Sequence, residues 1–600
     1  MEGPTLTMPV CITSCAFGIM LRSSSRLGLQ GACRQRHGAC GFGDGMSADD
    51  DRVEPLEPGL VAGLSTREAY PEDASAALGV QQIQTHLSHV FLSADRVYKL
   101  HKAVRFGFVD FSTRAKRNAD SLRELRLNRR LARSVYLGVA AIERADGTLR
   151  LGPLREDLAP APVGGAIAEH CVVMRRLPEG RDALSMLERG ALNEAHVDAI
   201  AARIAEFHAA NGLGAPAPFS REAWLERVAA PVRESFGEVG RDGVFATRAR
   251  AAGAIAESVL ARDAQRFERR RLAGRVVDGH GDLHLAHVWF ERDDEAPLAI
   301  DCLEFRDDYR QIDAASEVAF LAMDLEYRGR RDLAERFLRR YAEASDDCDL
   351  YGVVDFFTAY RAAVRAKVAC LAARDAAVPS AQRAHAEYSA ERHLALAEGA
   401  LAEPRPGSVV AMAGIVGSGK SSVAQALADA TGGVVIASDR VRKRQAGIEP
   451  TARGHTEIYT EARTRATYVG LLERAVPVVR SGRLAILDAT YARASLRHEL
   501  RAWASSHGVA SFLIEATCAE PLARARLEKR SRAGSDVSDA GPELYPSSAA
   551  GYEPPDEWPA ALRARVRTDE DGWRAAVSDV AKRFGLGQPV ARIAGGADSR

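Results

Sequence analysis

The sequence predicts two successive folding units of different class. Before about residue 400, short strand patterns precede a long helical region, which is typical of an α+β unit with a small β-rich half and a larger helical half. After that point strands and helices alternate, which predicts an α/β unit with a parallel sheet. Prolines and a glycine at residues 399–408 indicate a linker. We therefore expect domains at residues 61–403 and 404–600, after an extension of residues 1–60.

The extension of residues 1–60 shows no sign of regular structure. Its first 40 residues are rich in Gly, Ser and Arg and lack the periodicity of a helix or a strand. We expect it to be disordered, or translation to start at Met46. Several cysteines lie in it, and their spacing matches no zinc-ligand pattern. They are Cys11, Cys15, Cys33 and Cys40.

Composition favours a globular protein without a strong net electrostatic field. The chain has 81 basic and 81 acidic residues, so its formal charge does not favour nucleic acid or an anionic membrane as a partner. No stretch approaches 18 consecutive apolar residues, so we expect no membrane span. We expect a cytoplasmic protein, and a local basic groove for nucleic-acid ends stays an unfavoured alternative.

In the first unit, apolar runs between turn residues predict the elements in order. A hairpin is expected first, then a helix, two further strands and a long amphipathic helix whose buried face recurs every three or four residues. The predicted spans are strands 90–92 and 97–100, helix 121–132, strands 135–142 and 172–174, and the helix containing Val197, Ile200, Ile204 and Phe207.

In the second unit, four apolar runs predict parallel strands separated by helices. They are residues 409–413, 434–437, 484–487 and 511–516. Right-handed crossovers place the carboxyl ends of such strands at one edge, where ligands bind.

A glycine-rich loop follows the first of these strands and precedes an Ala-rich helix. Its residues and its place between a strand and a helix match a Walker A phosphate-binding loop. In such a loop, inward N–H groups and the lysine hold the phosphates of a nucleoside triphosphate, and the hydroxyl holds Mg²⁺. We expect ATP and Mg²⁺ as cofactors, with Ser421 as a metal ligand. The predicted binding residues are Gly414, Gly417, Ser418, Gly419, Lys420, Ser421 and Ser422.

Acidic and basic residues follow the next strands. Asp439 can take a proton from an incoming hydroxyl, and Arg442 can hold a phosphate. Here the chain resembles small P-loop kinases, including polynucleotide 5′-kinases and zeta-toxin-like kinases, and the resemblance assigns these two roles. The alternative for Asp439 is a helix N-cap. Asp488 ends a strand as a Walker-B-like metal acid, although a turn role is open.

Arginines crowd the helical stretch after the fourth strand. They are Arg524, Arg526, Arg530 and Arg532. Positioned cations stabilise a transferring phosphoryl group, so the stretch is predicted as a lid, with Arg526 and Arg530 as its phosphate contacts. A solvated helix face is the alternative.

A second set of chemical residues lies in the first unit. His280-Gly281-Asp282 follows one apolar run, and Asp301 follows another, so a hairpin can bring the two carboxylates together. This resembles the H-G-D loop and the metal-binding Asp of aminoglycoside phosphotransferase-like kinases. The resemblance implies that Asp282 is the catalytic base, His280 its structural support and Asp301 the Mg²⁺ ligand.

Lys99 is predicted to bind the nucleotide phosphates from a strand. Kinases place a lysine there and pair it with a helix glutamate, for which Glu124 is the candidate. Lys102 is a competing candidate, and an ordinary surface lysine and glutamate are the alternative.

Two features depart from the kinase pattern. His287 stands five residues after Asp282, where a metal-binding Asn is expected, and Mg²⁺ prefers oxygen ligands to imidazole. No glycine-rich loop precedes Lys99; residues 85–88 take its place. A zinc cluster of His280, His284 and His287 is a less favoured alternative.

The resemblance extends over roughly residues 80–590. It is to a bacterial group in which such a kinase domain is fused to an AAA-type P-loop domain. Residues 83–88, 106–111 and 125–130 add to it. The resemblance implies a kinase-like domain followed by a P-loop ATP-binding domain.

These observations predict an ATP-dependent phosphotransferase with two nucleotide-binding modules. Each would transfer the γ-phosphoryl of ATP to a hydroxyl acceptor of unknown identity. One alternative is a nucleotide-operated regulatory ATPase with a catalytically weak kinase-like domain. Another is a polynucleotide 5′-kinase. Oligomeric state is not predicted.

Overall fold

The computed structural model describes residues 53–106, 109–145, 148–155, 167–449, 452, 456–533 and 540–587. Residues 1–52, with Met46 and the clustered cysteines, lie outside the described residues, as do Gly107 and Phe108. Among the described residues, no helix has the length and apolarity needed to cross a membrane.

The strands, in chain order, are β1 (Gln81–Gln84), β2 (Ser88–Leu92), β3 (Arg96–His101), β4 (Arg105–Phe106), β5 (Val109–Asp110), β6 (Tyr136–Ala145), β7 (Thr148–Leu151), β8 (Ile167–Arg175), β9 (Val276–Asp278), β10 (Val288–Trp289), β11 (Leu298–Ala299), β12 (Gln311–Asp313), β13 (Ser408–Ala413), β14 (Val434–Ala437), β15 (Leu484–Asp488), β16 (Ala510–Thr517) and β17 (Arg563–Arg567).

The helices, in chain order, are α1 (Leu60–Leu64), α2 (Arg114–Ala132), α3 (Ala183–Glu188), α4 (Glu194–Ala210), α5 (Arg221–Val239), α6 (Ala246–Arg262), α7 (Ala264–Leu272), α8 (Ala314–Tyr327), α9 (Arg331–Ser345), α10 (Val354–Arg374), α11 (Ser380–Leu401), α12 (Lys420–Thr431), α13 (Ser438–Gln445), α14 (Glu461–Arg480), α15 (Ala494–Ser506), α16 (Glu520–Ala533), α17 (Tyr545–Ala550) and α18 (Trp573–Arg583).

Contacts divide the chain into two compact units whose bounds differ from those of the two predicted units. From here on, the first unit and the second unit are these compact units. The first contains the chain up to Asn193, with Asp278–Ile312 and Leu371–Pro379. The second contains Glu194–Val277, Asp313–Cys370 and the chain from Ser380 onward, so it combines much of the helical region with the C-terminal sheet. The predicted linker, residues 399–408, overlaps the end of α11 and the first residue of β13, and only residues 402–407 lie between them. The predicted domain boundaries stay a prediction.

The first unit is built on a six-stranded sheet in the order β1-β2-β3-β8-β6-β7. Its described pairings are antiparallel, so the predicted hairpin of β2 and β3 is confirmed. Lys99 pairs with Val90 on one side and with Val172 on the other, which places it in the interior of the sheet. The first unit is therefore mixed α and β.

Helix α2 is longer than predicted and packs on β6 and β8. Thr113 caps its amino end by accepting a hydrogen bond from the backbone N–H of Lys116 at 3.3 Å. Residues 114–120 are mostly polar, so the apolar pattern that predicts a helix is present only in its later turns. In those turns, Leu125 packs with Val135 and Val172. The cap residue was the available signal for the true start.

A short hairpin joins the two segments that carry the predicted carboxylates. Strands β10 and β11 are antiparallel, with Val288 opposite Ala299. The backbone N–H of Ile300 donates to the carbonyl of His287 at 3.0 Å. The hairpin brings the end of the H-G-D loop beside the residue that precedes Asp301.

In the second unit, a five-stranded parallel sheet has the order β14-β15-β13-β16-β17. This confirms the predicted parallel sheet and its first four strands, while β17 was missed because charged residues alternate along it. Helices α12 and α18 pack on the sheet through one apolar cluster that includes Met412, Leu427, Ile514 and Val577. The phosphate-binding loop lies at the carboxyl end of the central strand β13.

A buried arginine joins three helices of the second unit. Arg270 of α7 donates to Asp313, the N-cap of α8, and to Asp347, which follows α9, through four hydrogen bonds of 2.8–2.9 Å. All three side chains are buried. Burial raises the pKa of Asp347, but the charges of Arg270 and Arg275 outweigh it and lower that pKa to about 2.

Replacing this arginine tests its part in the fold. Arg270→Met would leave two carboxylates buried without their main cation, so we expect the free energy of unfolding to fall by about 3–5 kcal/mol. Chemical denaturation measures the change.

The matched control is Arg233→Met, which removes an arginine that also pairs with two carboxylates, Glu226 and Glu257, but at an exposed position. Its expected cost is below about 1 kcal/mol. Equal losses in the two variants would contradict a stabilising role for Arg270.

Candidate functional site

Backbone geometry explains the glycines of the phosphate-binding loop. Gly414, Gly417 and Gly419 have φ of 137°, 77° and 91°, where side chains are strained. A Cβ on Gly417 would lie 2.7 Å from the carbonyl oxygen of Ala523, and one on Gly414 would collide with the carbonyl of Ala516. Only glycine fits these two positions.

Contacts from outside the loop hold its backbone. The N–H of Gly414 donates to the carbonyl of Thr490 at 3.1 Å, and the N–H of Val416 donates to Ser548 Oγ at 3.1 Å. Thr568 Oγ donates to the carbonyl of Ser418 at 2.8 Å. Sequence patterns did not single out Ser548 or Thr568, because they lie far along the chain and have no motif.

Lys420 begins α12 and lies among charged groups. Its Nζ donates to the carbonyl of Ile415 at 2.7 Å. Burial lowers the pKa of Lys420 to about 8, while the carboxylates of Asp488 and Asp439 oppose that shift and Arg530 adds to it. The loop lysine therefore lies close to both predicted acids.

The predicted metal ligands of this loop lie near each other. The Ser421 hydroxyl is close enough to the Asp488 carboxylate to lower its pKa, but burial dominates and raises that pKa. Ser421 and Ser422 are exposed at the start of α12. A hydroxyl and a carboxylate are oxygen donors of the kind that Mg²⁺ prefers, so the residues present fit that ion.

Asp439 lies inside the first turn of α13, where Ala437 takes the cap position without a side-chain bond. The N-cap alternative for Asp439 is therefore wrong. Arg442 Nη1 lies 3.7 Å from Asp439 Oδ1, and its guanidinium lies 4.8 Å from the ring centre of Tyr459.

Unpartnered donors in the loop and in α13 fit an anion. Ser418 Oγ and Arg442 Nε are buried and have no hydrogen-bond partner among the described residues. Buried donors cost free energy unless they are paired, and phosphate oxygens are suitable acceptors. The residues of the loop region therefore fit the phosphates of a nucleotide.

The four arginines of α16 fall into two groups. Arg524 and Arg532 are exposed and pair with glutamates one turn away, so the solvated-face alternative describes them. Arg526 donates to Thr568 Oγ at 2.7 Å and lies 3.5 Å from the carbonyl of Gly417. Arg530 is near enough for its charge to lower the pKa values of Lys420 and Asp488. The two arginines predicted as phosphate contacts are thus the two beside the loop.

In the first unit, Lys99 lies between two carboxylates. Its Nζ is 2.9 Å from Glu124 Oε1 and 3.3 Å from Asp301 Oδ1, and all three side chains are buried. Burial raises the pKa of Glu124, which the charge of Lys99 opposes. Lys102 instead donates to the carbonyl of Thr85 at 2.6 Å, so the arrangement expected of a kinase lysine is made by Lys99.

Asp301 has a left-handed backbone, with φ of 62°. Its N–H donates to Tyr136 Oη at 3.2 Å, and the next N–H, of Cys302, donates to Asn128 Oδ1 at 2.8 Å. Strained non-glycine residues persist where surrounding contacts hold them, and they cluster at functional sites. Motif reasoning did not assign Tyr136 or Asn128 this supporting position.

The H-G-D loop is held by His280. Its Nε2 donates to the carbonyl of Ile300 at 2.8 Å, and its Nδ1 accepts from the N–H of Asp282 at 3.3 Å. Burial lowers the pKa of His280 to about 3, so this imidazole is neutral. The geometry suits the supporting role that the resemblance implies.

Asp282, His284 and His287 form a buried group whose potential ligand atoms lie within 4.8 Å of one another. His284 Nε2 and His287 Nδ1 each lie 3.6 Å from Asp282 Oδ2. His280 does not belong to this group, because both of its nitrogens bond the backbone. The three-histidine zinc alternative is therefore not the set that the structure brings together.

Further acids surround Lys99. Asp120 lies 3.3 Å from His101 Nε2, and burial together with the Glu124 charge raises the pKa of Asp120 to about 7. Burial also raises the pKa of Glu304 well above its usual value. These buried residues carry no sequence motif, so sequence analysis missed them.

Residues 85–88, which replace the glycine-rich loop, form the turn between β1 and β2. The N–H of Thr85 donates to the carbonyl of Ser88 at 2.9 Å, and the N–H of Ser88 donates to Thr85 Oγ at 2.9 Å. The turn is closed by a threonine side chain and contains no glycine.

Relatives of the chain span most of its length. It is 34% identical over 496 residues to the uncharacterized protein Rv2004c of Mycobacterium tuberculosis, covering 81% of this chain and 92% of that protein. An uncharacterized protein of Mycobacterium bovis matches with the same identity and coverage. The chain belongs to the family of these mycobacterial proteins. Because the aligned length exceeds that of either predicted domain, the family relationship includes parts of both.

A narrower match covers the C-terminal part of this family member. Residues 409–555 match the family model described as an AAA domain. The matched span contains the phosphate-binding loop, Asp439, Arg442 and Asp488. The predicted C-terminal P-loop domain is therefore confirmed.

Solved structures also match. A gluconokinase from Sinorhizobium meliloti is 21% identical, with a TM-score of 0.22 over 30% of this chain and 96% of that one. A Plasmodium vivax ethanolamine kinase is 10% identical, with a TM-score of 0.30 over 52% of this chain and 81% of that one. Both TM-scores are below 0.5, so neither match decides an activity.

Proton uptake tests the environment of Lys420. Above pH 8 the free loop increasingly holds a neutral amine, and bound phosphates favour the ammonium. We therefore expect ATP binding at pH 9 to take up a proton, and its affinity to fall by up to about tenfold per pH unit above 8. Calorimetry in two buffers of different ionisation enthalpy measures the uptake.

The control is Lys420→Met, which should bind ATP weakly and without this uptake, and at pH 7 the wild type should take up almost none. Equal uptake by the variant at pH 9 would show that another group titrates.

Proposed function

We propose that the protein is an ATP-dependent phosphotransferase, with its better-supported active site in the P-loop domain. The observation that carries the proposal is a pair of buried, unpartnered donors: Ser418 Oγ, in the loop that also presents Lys420, and Arg442 Nε, in α13 beside Asp439. Two carboxylates, Asp439 and Asp488, lie close enough to shift the pKa of that lysine. Anion-binding donors beside acids suit phosphoryl transfer to a hydroxyl.

Each residue has a chemical task under this proposal. The loop N–H groups and Lys420 bind the β and γ phosphates, and Arg442 orients the γ-phosphate. Asp439 accepts the proton of the acceptor hydroxyl. Ser421 and Asp488 would hold Mg²⁺, which neutralises charge on the phosphates when bound. Arg526 keeps the loop in shape through Gly417 and Thr568, while Arg530 adds positive charge.

The first unit is proposed as a second phosphotransferase module of the kinase-like type. Support comes from the buried contacts of Lys99 with Glu124 and Asp301, and from the H-G-D loop that His280 holds in place. Lys99 would bind nucleotide phosphates, Asp301 would hold Mg²⁺, and Asp282 would accept the acceptor's proton. The acceptors of both modules are hydroxyl-bearing molecules, and we propose a cytoplasmic location.

A second candidate function is a nucleotide-operated regulatory ATPase. It is favoured by ion pairs within the second unit. Arg339 and Arg336 of α9 lie 2.8 Å and 3.4 Å from Asp429 near the end of α12, the helix that begins with Lys420. If α12 shifts on nucleotide binding, these ion pairs would transmit the shift to α9.

An acceptor screen tests the leading proposal. We expect γ-phosphate transfer from labelled ATP to a hydroxyl compound, reduced at least about 10²-fold by Asp439→Asn if the P-loop site acts, or by Asp282→Asn if the kinase-like site acts. Both variants keep the side-chain size, so folding is comparable.

Asp429→Asn serves as the control, because it removes a charge from the same helix as Lys420 without reaching the loop. ATP hydrolysis that no acceptor redirects, and that Asp429→Asn alters, would favour the regulatory ATPase instead. Transfer to nucleic-acid 5′-hydroxyl ends would identify a polynucleotide kinase.

A lysine pair tests the kinase-like module. Lys99→Met removes the cation between Glu124 and Asp301, so we expect Asp282-dependent transfer to fall at least about 10²-fold. Lys102→Met removes a lysine three residues away that donates to a backbone carbonyl, and it should leave transfer nearly unchanged. Equal losses in a transfer assay would contradict the assignment of Lys99.

A further inference from the structure

His287 lies between the two carboxylates of the kinase-like site. The residue is 2% exposed. Nδ1 lies 3.6 Å from Asp282 Oδ2, and Nε2 lies 3.6 Å from Asp301 Oδ2. The ring therefore has one nitrogen directed to the proposed base and the other to the proposed metal ligand.

Hydrogen bonding determines which nitrogen can bind a metal. The carbonyl oxygen of Asp282 can only accept, and it lies 2.9 Å from His287 Nδ1, so Nδ1 carries the proton. In the neutral ring, Nε2 then presents its lone pair on the side of Asp301. His287 Nε2 and Asp301 Oδ2 are both electron-rich and face each other at 3.6 Å. A cation bound between them attracts both atoms.

The neighbouring histidine has the opposite arrangement. The N–H of Ala286 can only donate, and it lies 3.3 Å from His284 Nδ1, so the proton of neutral His284 is on Nε2, the nitrogen near Asp282. The group of Asp282, His284 and His287 therefore suits hydrogen bonding to the Asp282 carboxylate. Metal binding is favoured on the other side of His287, at Asp301.

The two oxygens of the Asp301 carboxylate have different neighbours. Oδ1 contacts the Lys99 ammonium at 3.3 Å, and Oδ2 is the oxygen near His287. Two ligand atoms bound to one ion at about 2.1 Å are separated by about 3.0 Å at an octahedral angle. A small side-chain movement from 3.6 Å is enough to reach that separation.

We propose that His287 Nε2 and Asp301 Oδ2 together ligate one divalent ion, and that this site prefers Mn²⁺ to Mg²⁺. Mg²⁺ favours an all-oxygen shell, whereas transition metals accept imidazole with carboxylate. The inference rests on the proposed nucleotide site of the first unit. Its test, however, detects a metal–nitrogen bond and needs no turnover.

Pulsed EPR of Mn²⁺ bound to the full chain is the direct measurement. Spectra are recorded with Mn²⁺ alone and with a non-hydrolysable ATP analogue, in a Lys420→Met background that weakens nucleotide binding at the P-loop. We expect the ¹⁴N modulation of a directly coordinated imidazole. His287→Asn, which supplies an oxygen ligand instead, should abolish it, and His284→Asn in the same loop should retain it.

Metal affinity gives a second readout. The wild type should bind Mn²⁺ at least about tenfold more tightly than Mg²⁺, and His287→Asn should reduce that preference at least about fivefold. Circular dichroism establishes that the variants are folded.

Several results would overturn the proposal. Bound Mn²⁺ without imidazole modulation in the wild type would show that His287 does not ligate the ion. Modulation lost in His284→Asn but kept in His287→Asn would assign the ion to the Asp282 side. Absence of Mn²⁺ binding would also refute it. Failure of the proposed function looks different, since phosphoryl transfer would be missing while the metal–nitrogen signal remained.

Discussion

A buried ammonium and its two carboxylates organise the first unit. Lys99, in the interior of the sheet, contacts Glu124 of α2 and Asp301 beyond β11. A buried lysine loses its hydration, which costs several kcal/mol unless carboxylates compensate, and each carboxylate equally needs the lysine. Three distant parts of the sequence must therefore meet at one point. The left-handed backbone of Asp301, held by Tyr136 and Asn128, is the local cost of that meeting.

The P-loop site follows a different principle. A phosphate-binding loop uses backbone N–H groups, so the sequence requirement is for glycines that let these groups turn inward. Side chains from remote segments, such as Ser548 and Thr568, then hold that backbone in place. Lys420 and Arg442 add positive charge close to two acids. Such a site can bind a phosphate firmly while its acceptor pocket differs from one family to another.

Regular elements with clear apolar periodicity, and residues that belong to motifs, could be predicted from the sequence. The strands of the parallel sheet that carry apolar runs were predicted, whereas polar β1 and charged β17 were missed. The start of α2 was placed late because its first turns are polar. In the sites, motif residues such as Lys99 and Lys420 were found. Residues that act by position alone, including Tyr136 and Thr568, were not.

The sequence alone determined the parallel sheet, the phosphate-binding loop and the identities of the acids and cations, because these depend on local pattern and chemistry. The bounds of the two compact units depend on tertiary contacts, because each unit is built from separate stretches of the chain. Tertiary structure alone decided which of the acids and cations meet. It selected Lys99 over Lys102, set Asp439 inside α13 rather than at its cap, and directed one nitrogen of His287 to Asp301. Hydrogen bonds and burial made by residues far apart in the chain set these outcomes, and no local pattern encodes them.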